Sequence, residues 1–263
     1  MSPCLISHTT LLGKVIRLPL RLVPKGAVVP IMRGPARGKR WVSNAAAHGY
    51  WLGYWELEKQ CQFAGRLRSG EVVYEIGAHV GLYMLGSSGR VGPEGHVYAF
   101  EPLPRNAEYL RRHVELNRLS NCSVVEAAVC SSTALRQFEA SGCHSEAHLS
   151  ETGSRTVPAV SIDQFLSGRP ERRPPIVMRI DAKGAEMEIL SGGRRTLEKF
   201  APSIFLFIYS EHVGRQCREL LSSLGYSVEH LSVDTIWAER RCQEPSSSKT
   251  GSARAVKHQL QSI

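Results

Sequence analysis

Apolar positions along the chain fall into short runs of β-formers separated by stretches of helical spacing, the pattern of alternating strands and helices. Val72 to Ile76 is one such run, followed by a turn built on Gly77 and Gly81, and Leu82, Tyr83 and Leu85 then recur at helical spacing. A second run, His96 to Phe100, delivers Glu101 and is stopped by Pro102. A helix is expected from about Asn106 to Asn117, with Leu110, Val114 and Leu116 on its apolar side. Cys122 to Val125 predicts a third strand ending at Glu126-Ala127-Ala128, and Arg136 to Glu139 a short added strand. Val157 to Leu166 predicts a strand turning into a helix, and Ile176 to Ile180 a fourth strand that delivers Asp181. A helix from about Ala185 ends at Gly192-Gly193. Ser203 to Tyr209 is continuously apolar, as a strand buried on both faces is, with Glu211 and His212 at its carboxyl end. A helix from about Gly214 to Leu224 and an antiparallel pair, Tyr226–Leu231 with Thr235–Ala238, follow. The expected fold is α/β: a doubly wound sheet with a C-terminal antiparallel hairpin and an N-terminal extension.

Before this core, Leu11 to Leu22 mixes apolar and basic residues, a short amphipathic helix that either caps the sheet or meets a membrane or partner. Ala27–Ile31 and Lys39–Val42 predict a hairpin around GPARG. Four aromatics crowd Gly49 to Glu56, as a plug against the sheet, a wall of a pocket, or both, and Glu56 leads into a helix through Phe63. From residue 241 the chain is polar without periodicity, as a disordered tail is. The organisation expected is an extension over 1–48, a core domain over 49–240 and a tail over 241–263.

Length changes this picture little: 263 residues suit one α/β domain with extensions. No run of 18 apolar residues exists, and the N-terminus lacks a signal peptide's layout, so a cytoplasmic location is expected. The 7 cysteines are odd in number and scattered, without a C-x-x-C, which argues for reduced thiols over disulfides or zinc. The net charge of +9 comes mainly from arginines spread over helix faces, so solvated faces explain it better than nucleic acid does. His144 and His148 sit four apart, but no third ligand accompanies them, and no metal is expected.

The chemistry concentrates between Glu71 and Glu101. In a parallel sheet, ligands bind outside the carboxyl ends of strands, and an acid one βαβ unit after the turn can accept from both ribose hydroxyls of a nucleoside. Counted from Gly77, the later glycines of a dinucleotide fingerprint are replaced by His79 and Leu82, and no lysine completes a P-loop. An acid before the turn and no phosphate cradle suit S-adenosylmethionine, which carries an ammonium and a sulfonium. The alternative is a structural βαβ turn with a surface acid.

The segments EIGAHVGLYML, VYAFEPLPRNAEYLRRHVELN, VEAAV and RIDAKGAEMEILSGGRRTL resemble, in order, the FkbM-type S-adenosylmethionine-dependent methyltransferases, over roughly Gly34 to Trp237. The resemblance implies a Rossmann-like (class I) methyltransferase sheet and O-methylation of a small-molecule or sugar hydroxyl. It implies cofactor contacts at Glu75, Gly77, Ala78, His79, Gly81, Tyr83, Glu101, Pro102 and Asn106, with Asn106 fixing the Glu101 loop or capping a helix. Glu126 or Ala127 would meet the adenine. Asp181 and His212 are the candidate proton acceptors, Asp181 alternatively holding the sulfonium end. The family's IDVEGAE stands here as IDAKGAE, so Lys183 replaces an acid. That lysine either binds an acidic acceptor or marks a cofactor-binding homologue of weakened catalysis. An RNA methyltransferase is a further alternative, but Pro174 and Pro175 precede the fourth strand, whereas base-methylating enzymes often carry such a run at its far end.

Overall fold

The structure, a computed structural model, describes residues 20, 22–139, 148–149, 155–167 and 169–240. The expected helix over Leu11–Leu22 therefore lies almost wholly outside the described residues, as do His144 and the tail over 241–263. Strands β1 (Val28–Pro30) and β2 (Arg40–Val42) form the expected hairpin, and α1 (His48–Leu52) and α2 (Leu57–Arg66) lead to the core. The core runs β3 (Val72–Ile76), α3 (Leu82–Val91), β4 (His96–Phe100), α4 (Pro104–Leu116) and β5 (Cys122–Val125). After it come β6 (Ala128–Val129), β7 (Ala134–Glu139), β8 (His148–Leu149), β9 (Arg155–Val160) and α5 (Ile162–Leu166). The chain then forms β10 (Val177–Ile180), α6 (Glu186–Gly192), α7 (Arg194–Phe200), β11 (Ser203–Phe207), α8 (Glu211–Ser223), β12 (Ser227–Ser232) and β13 (Thr235–Glu239).

Seven strands make the main sheet in the order β12-β13-β11-β10-β3-β4-β5. The five strands β11, β10, β3, β4 and β5 are parallel, and β13 and β12 are antiparallel to their neighbours. Strand order reverses between β3 and β10, the switch point at which doubly wound sheets bind ligands. Alternate side chains serve opposite faces. Val73, Val97, Val177, Phe205 and Trp237 pack beneath α2, α3 and α4, while Tyr74, Phe100, Met178, Ile204 and Leu206 meet α5 to α8.

Two expectations are corrected. The single added strand is one of four in a separate sheet, β6-β9-β7-β8, which also holds His148 in β8. The fifth core strand stops at Phe207, and α8 begins at Glu211, which puts His212 in its first turn.

The hairpin is tied to the core by Asn117, whose side chain bonds both the N–H and the carbonyl of Arg40, and by a buried histidine. The Val42 N–H donates to His113 Nε2 at 3.0 Å, which leaves the ring proton on Nδ1, 2.8 Å from the Val80 carbonyl. Trp41 stacks on the ring at 4.3 Å. Burial lowers the His113 pKa to about 4, partly opposed by the Val80 carbonyl. The unfolded chain takes up this proton near pH 6.5 and the folded chain only near 4. The histidine's contribution is therefore complete above about pH 6.5 and disappears as pH falls toward 4. In urea unfolding from pH 7 down to 4, the parent chain is expected to lose about 3 kcal/mol more stability than the His113→Gln variant. Parallel loss in both would show that His113 is not the titrating group.

Candidate active site

A cleft with about 1000 Å³ of empty space, the open solvent at its mouth included, lies over the carboxyl ends of β3, β4 and β10. Its floor is the turn after β3. Gly77 has φ of +80°, and a Cβ there would lie 2.0 Å from the Asp181 carbonyl oxygen, so only glycine lets the tips of β3 and β10 meet. Gly77, Ala78 and His79 line the floor, and Gly81 ends the turn as the residue before α3 without lining the cavity. One wall is Glu101, Pro102 and Leu103 from β4, with Ala127 to Val129 from the chain after β5. Another is Tyr50, Trp55 and Glu56 from the segment after the hairpin, so the crowded aromatics serve both as core, through Trp51, and as wall.

Glu101 is held firmly. Its carboxylate accepts from the His79 N–H at 2.9 Å, the Leu103 N–H at 3.1 Å and Asn106 Nδ2 at 3.1 Å. Burial nevertheless pushes its pKa up to about 7 against these three donors. Asn106 is itself buried and reaches Glu101, not the helix N-terminus, so of its two expected roles the loop-fixing one is the one present.

Glu75 lies elsewhere than expected. It is 0% exposed and points under α3, where its Oε1 accepts from Ser87 Oγ at 2.6 Å. Period-two alternation is the cause: one residue back from the strand tip, it faces the layer of α3 and not the cavity. Burial raises its pKa to about 7 despite the charge of Arg179, its register partner on β10. Glu126 also lies off the cavity, in an ion pair with Arg111. His212 is exposed on α8 and does not line the cavity either.

Asp181 does line it, and two groups orient its carboxylate. Arg179 Nη2 donates to Oδ2 at 2.8 Å, and the Tyr209 hydroxyl donates to Oδ1. Arg179 is 2% exposed, its guanidinium 3.7 Å from the Tyr83 ring centre and 4.8 Å from that of Phe207. Burial and the adjacent Asp181 charge hold the Tyr209 pKa above its ordinary value, so Tyr209 stays a donor. The Tyr83 hydroxyl donates to Glu56 Oε2 at 3.1 Å. Arg179 was not singled out in the sequence, and Glu56 and Tyr209 appeared there only as the ends of the aromatic stretch and of the fifth apolar run. A charged residue at an inward position of the apolar run Val177–Ile180 was the signal for the first. Of the five non-glycine residues with positive φ among the described residues, three line this cavity: Glu56, His79 and Lys183. Strained backbone concentrates at functional sites.

The residues fit an adenosine-bearing, phosphate-free cofactor. A buried carboxylate on the cavity wall, with three of its roughly four acceptor sites filled, keeps one on Oε2 for a hydroxyl donor, beside apolar wall from Ile76, Leu103, Ala127 and Val129. No group of three metal-ligating side chains occurs among the described residues, and no described helix is long and apolar enough to cross a membrane.

Comparison with known proteins places this arrangement. A 59-residue stretch, 22% of the chain, is 39% identical to a protein-L-isoaspartate O-methyltransferase from Methanothrix thermoacetophila, and covers 28% of that protein. A 62-residue stretch, 24% of the chain, is 37% identical to the protein of the same name from Ignicoccus hospitalis and covers 29% of it. The chain thus spans less than a third of the length of these curated relatives. The crystal structure of methyltransferase FkbM from Methylobacillus flagellatus aligns with 87% of this chain and 60% of its own, at 18% identity and a TM-score of 0.49. The methyltransferase FkbM domain matches residues 75–228, more than half of the sequence, and includes the carboxyl tips of β3, β4 and β10. By that match the chain belongs to the FkbM family of S-adenosylmethionine-dependent methyltransferases.

Proposed function

We propose that this chain methylates an oxygen, most simply a hydroxyl of a small molecule or sugar, with Asp181 as proton acceptor. The observation that carries the reading is that Glu101 and Asp181, two oriented carboxylates from different strand tips, face one cavity. Glu101 would accept from the ribose hydroxyls. The Gly77 to His79 turn with Pro102 and Ala127 would enclose the nucleoside. Asn106 would serve from behind by orienting Glu101, and Glu75 and Glu126 would support the wall without touching the donor. Bound there, S-adenosylmethionine supplies a methyl group already activated on a positively charged sulfur.

The chain's own task is then to align the acceptor and to receive a proton. Alignment of this kind is worth about 7–11 kcal/mol in favourable cases. Asp181 takes the hydroxyl proton on a carboxylate oxygen, while Arg179 and Tyr209 fix the plane of that carboxylate. His212, exposed on α8, is poorly placed for the same task. A nucleic-acid acceptor draws support only from the net charge of +9. Pro174 and Pro175 lie at the amino end of β10, opposite the cavity, so the strand tip carries no proline run to grip a base. The names of the two curated relatives also speak of transfer to oxygen. Labelled methyl donor incubated in parallel with small-molecule extracts and with total RNA tests the reading. Label in the extract supports it, and label in RNA alone overturns it.

Two variants separate the roles. Glu101→Gln is expected to weaken donor binding about 10- to 150-fold by calorimetry, as loss of a charged acceptor would. Because the raised pKa leaves Glu101 protonated below about pH 7, affinity of the parent should climb from pH 6 to 8 and then level, and the variant's profile should be flat. Asp181→Asn should lower kcat about 10²- to 10⁴-fold with donor affinity kept. If it instead abolishes donor binding, the acid holds the donor and is not the base.

A further inference from the structure

Each charge on the cavity wall is satisfied except one. Glu101 accepts from three N–H donors, Glu56 accepts from the Tyr83 hydroxyl, and Asp181 pairs with Arg179 and Tyr209. Lys183 lines the same cavity and is half-buried. Its ammonium lies 4.7 Å from the Tyr209 ring centre, and among the described residues no carboxylate forms an ion pair with it. The backbone that presents it is unusual. Lys183 has φ of +50° and Gly184 of +106°, and the Gly184 N–H is held by both oxygens of the buried Glu186, at 2.9 and 3.0 Å. A left-handed, braced turn that carries a lysine toward a ligand cavity is a costly way to place a solvated charge.

We propose that Lys183 is an anion subsite, and that the acceptor carries a carboxylate or phosphate beside the oxygen that is methylated. The inference rests on the methyl-transfer reading and deepens it. Lys183 follows Asp181 by two residues, at most about 7 Å of backbone. An anion held by the ammonium therefore brings a neighbouring hydroxyl of the same molecule up to the proton acceptor. Tyr209 joins the two roles, since its hydroxyl donates to Asp181 and its ring faces the ammonium. A lysine held against an aromatic ring has already lost freedom, so less is lost when an anion pairs with it.

The same ammonium could instead meet the carboxylate of the donor's own amino-acid moiety, and the test distinguishes these sources. Affinities of S-adenosylhomocysteine and of methylthioadenosine, which lacks that carboxylate, are measured on the parent chain, Lys183→Met and Lys183→Arg. Their ratio should be unchanged across the three. Selective loss of S-adenosylhomocysteine in Lys183→Met would assign the lysine to the donor and overturn the proposal. Inorganic phosphate and acetate are then titrated by NMR at constant ionic strength, with and without S-adenosylhomocysteine. At least one should bind the parent about tenfold or more tightly than Lys183→Met, with Lys183→Arg restoring the affinity. Equal affinity in parent and Lys183→Met, or no binding to either, overturns the subsite. The nucleoside affinities also report that the variants are folded. A parent chain that binds anions at Lys183 but no nucleoside would indict the cofactor reading alone.

Discussion

The site depends on how closely three strand tips can approach. Beyond the regular ladder, the Gly77 and Ala78 N–H groups both donate to the Phe100 carbonyl at 3.0 Å, and the Asp181 N–H donates to the Ile76 carbonyl at 3.0 Å. The Glu101 N–H reaches the Val125 carbonyl at 3.1 Å in the same way. These bonds carry the sheet one residue past its formal ends and leave no room for a side chain at Gly77. With the tips locked, the backbone brings Glu101 and Asp181 to one cavity, and Asn106, Arg179 and Tyr209 then orient their carboxylates. The carboxylates proposed to accept the proton and to meet the ribose inherit the precision of the sheet, not that of loops.

A second constraint lies beneath the floor. Arg179 and Glu75 are register partners on adjacent strands, both buried on a face otherwise made of valine, alanine and aromatic residues. Burying charge is costly unless it is paired. Here the guanidinium is spread over two rings and one carboxylate, and Glu75 is drawn toward its neutral form. The arrangement ties α3, through Tyr83, and β11, through Phe207, to the orientation of Asp181. Removing Arg179 would leave two carboxylates of one sign without their shared cation, so its effect would extend beyond Asp181.

Much of the fold was legible because it rests on local patterns. Continuous β-former runs located the five parallel strands, and glycines marked the turns between them. The second helix after Gly193 was not anticipated, since two helices of seven residues meet there with only Gly193 between them. Of the accessory sheet, parts of β7 and β9 were legible, but β6 and β8 have two residues each, too few to show a pattern, so the sheet as a whole was missed. At the site, Glu101 and Asp181 were visible as acids ending apolar strands. Glu75 was misplaced because a motif gives the order of residues but not the face on which each points, and one step along a strand reverses that face. Arg179, Tyr209 and Glu56 converge only through tertiary packing, which no local spacing records.

The wall formed by Tyr50, Trp55 and Glu56 has a consequence for where the working unit begins. The family match starts at residue 75, yet a whole side of the cavity is supplied some twenty residues earlier. That side is itself anchored further upstream: the Met32 N–H donates to the Trp51 carbonyl at 2.8 Å, and Gly53 lies so close to the Arg33 backbone that a Cβ would come within 2.6 Å of it. A fragment cut to the matched boundaries would keep every motif of the family and still present an open trough in place of a pocket.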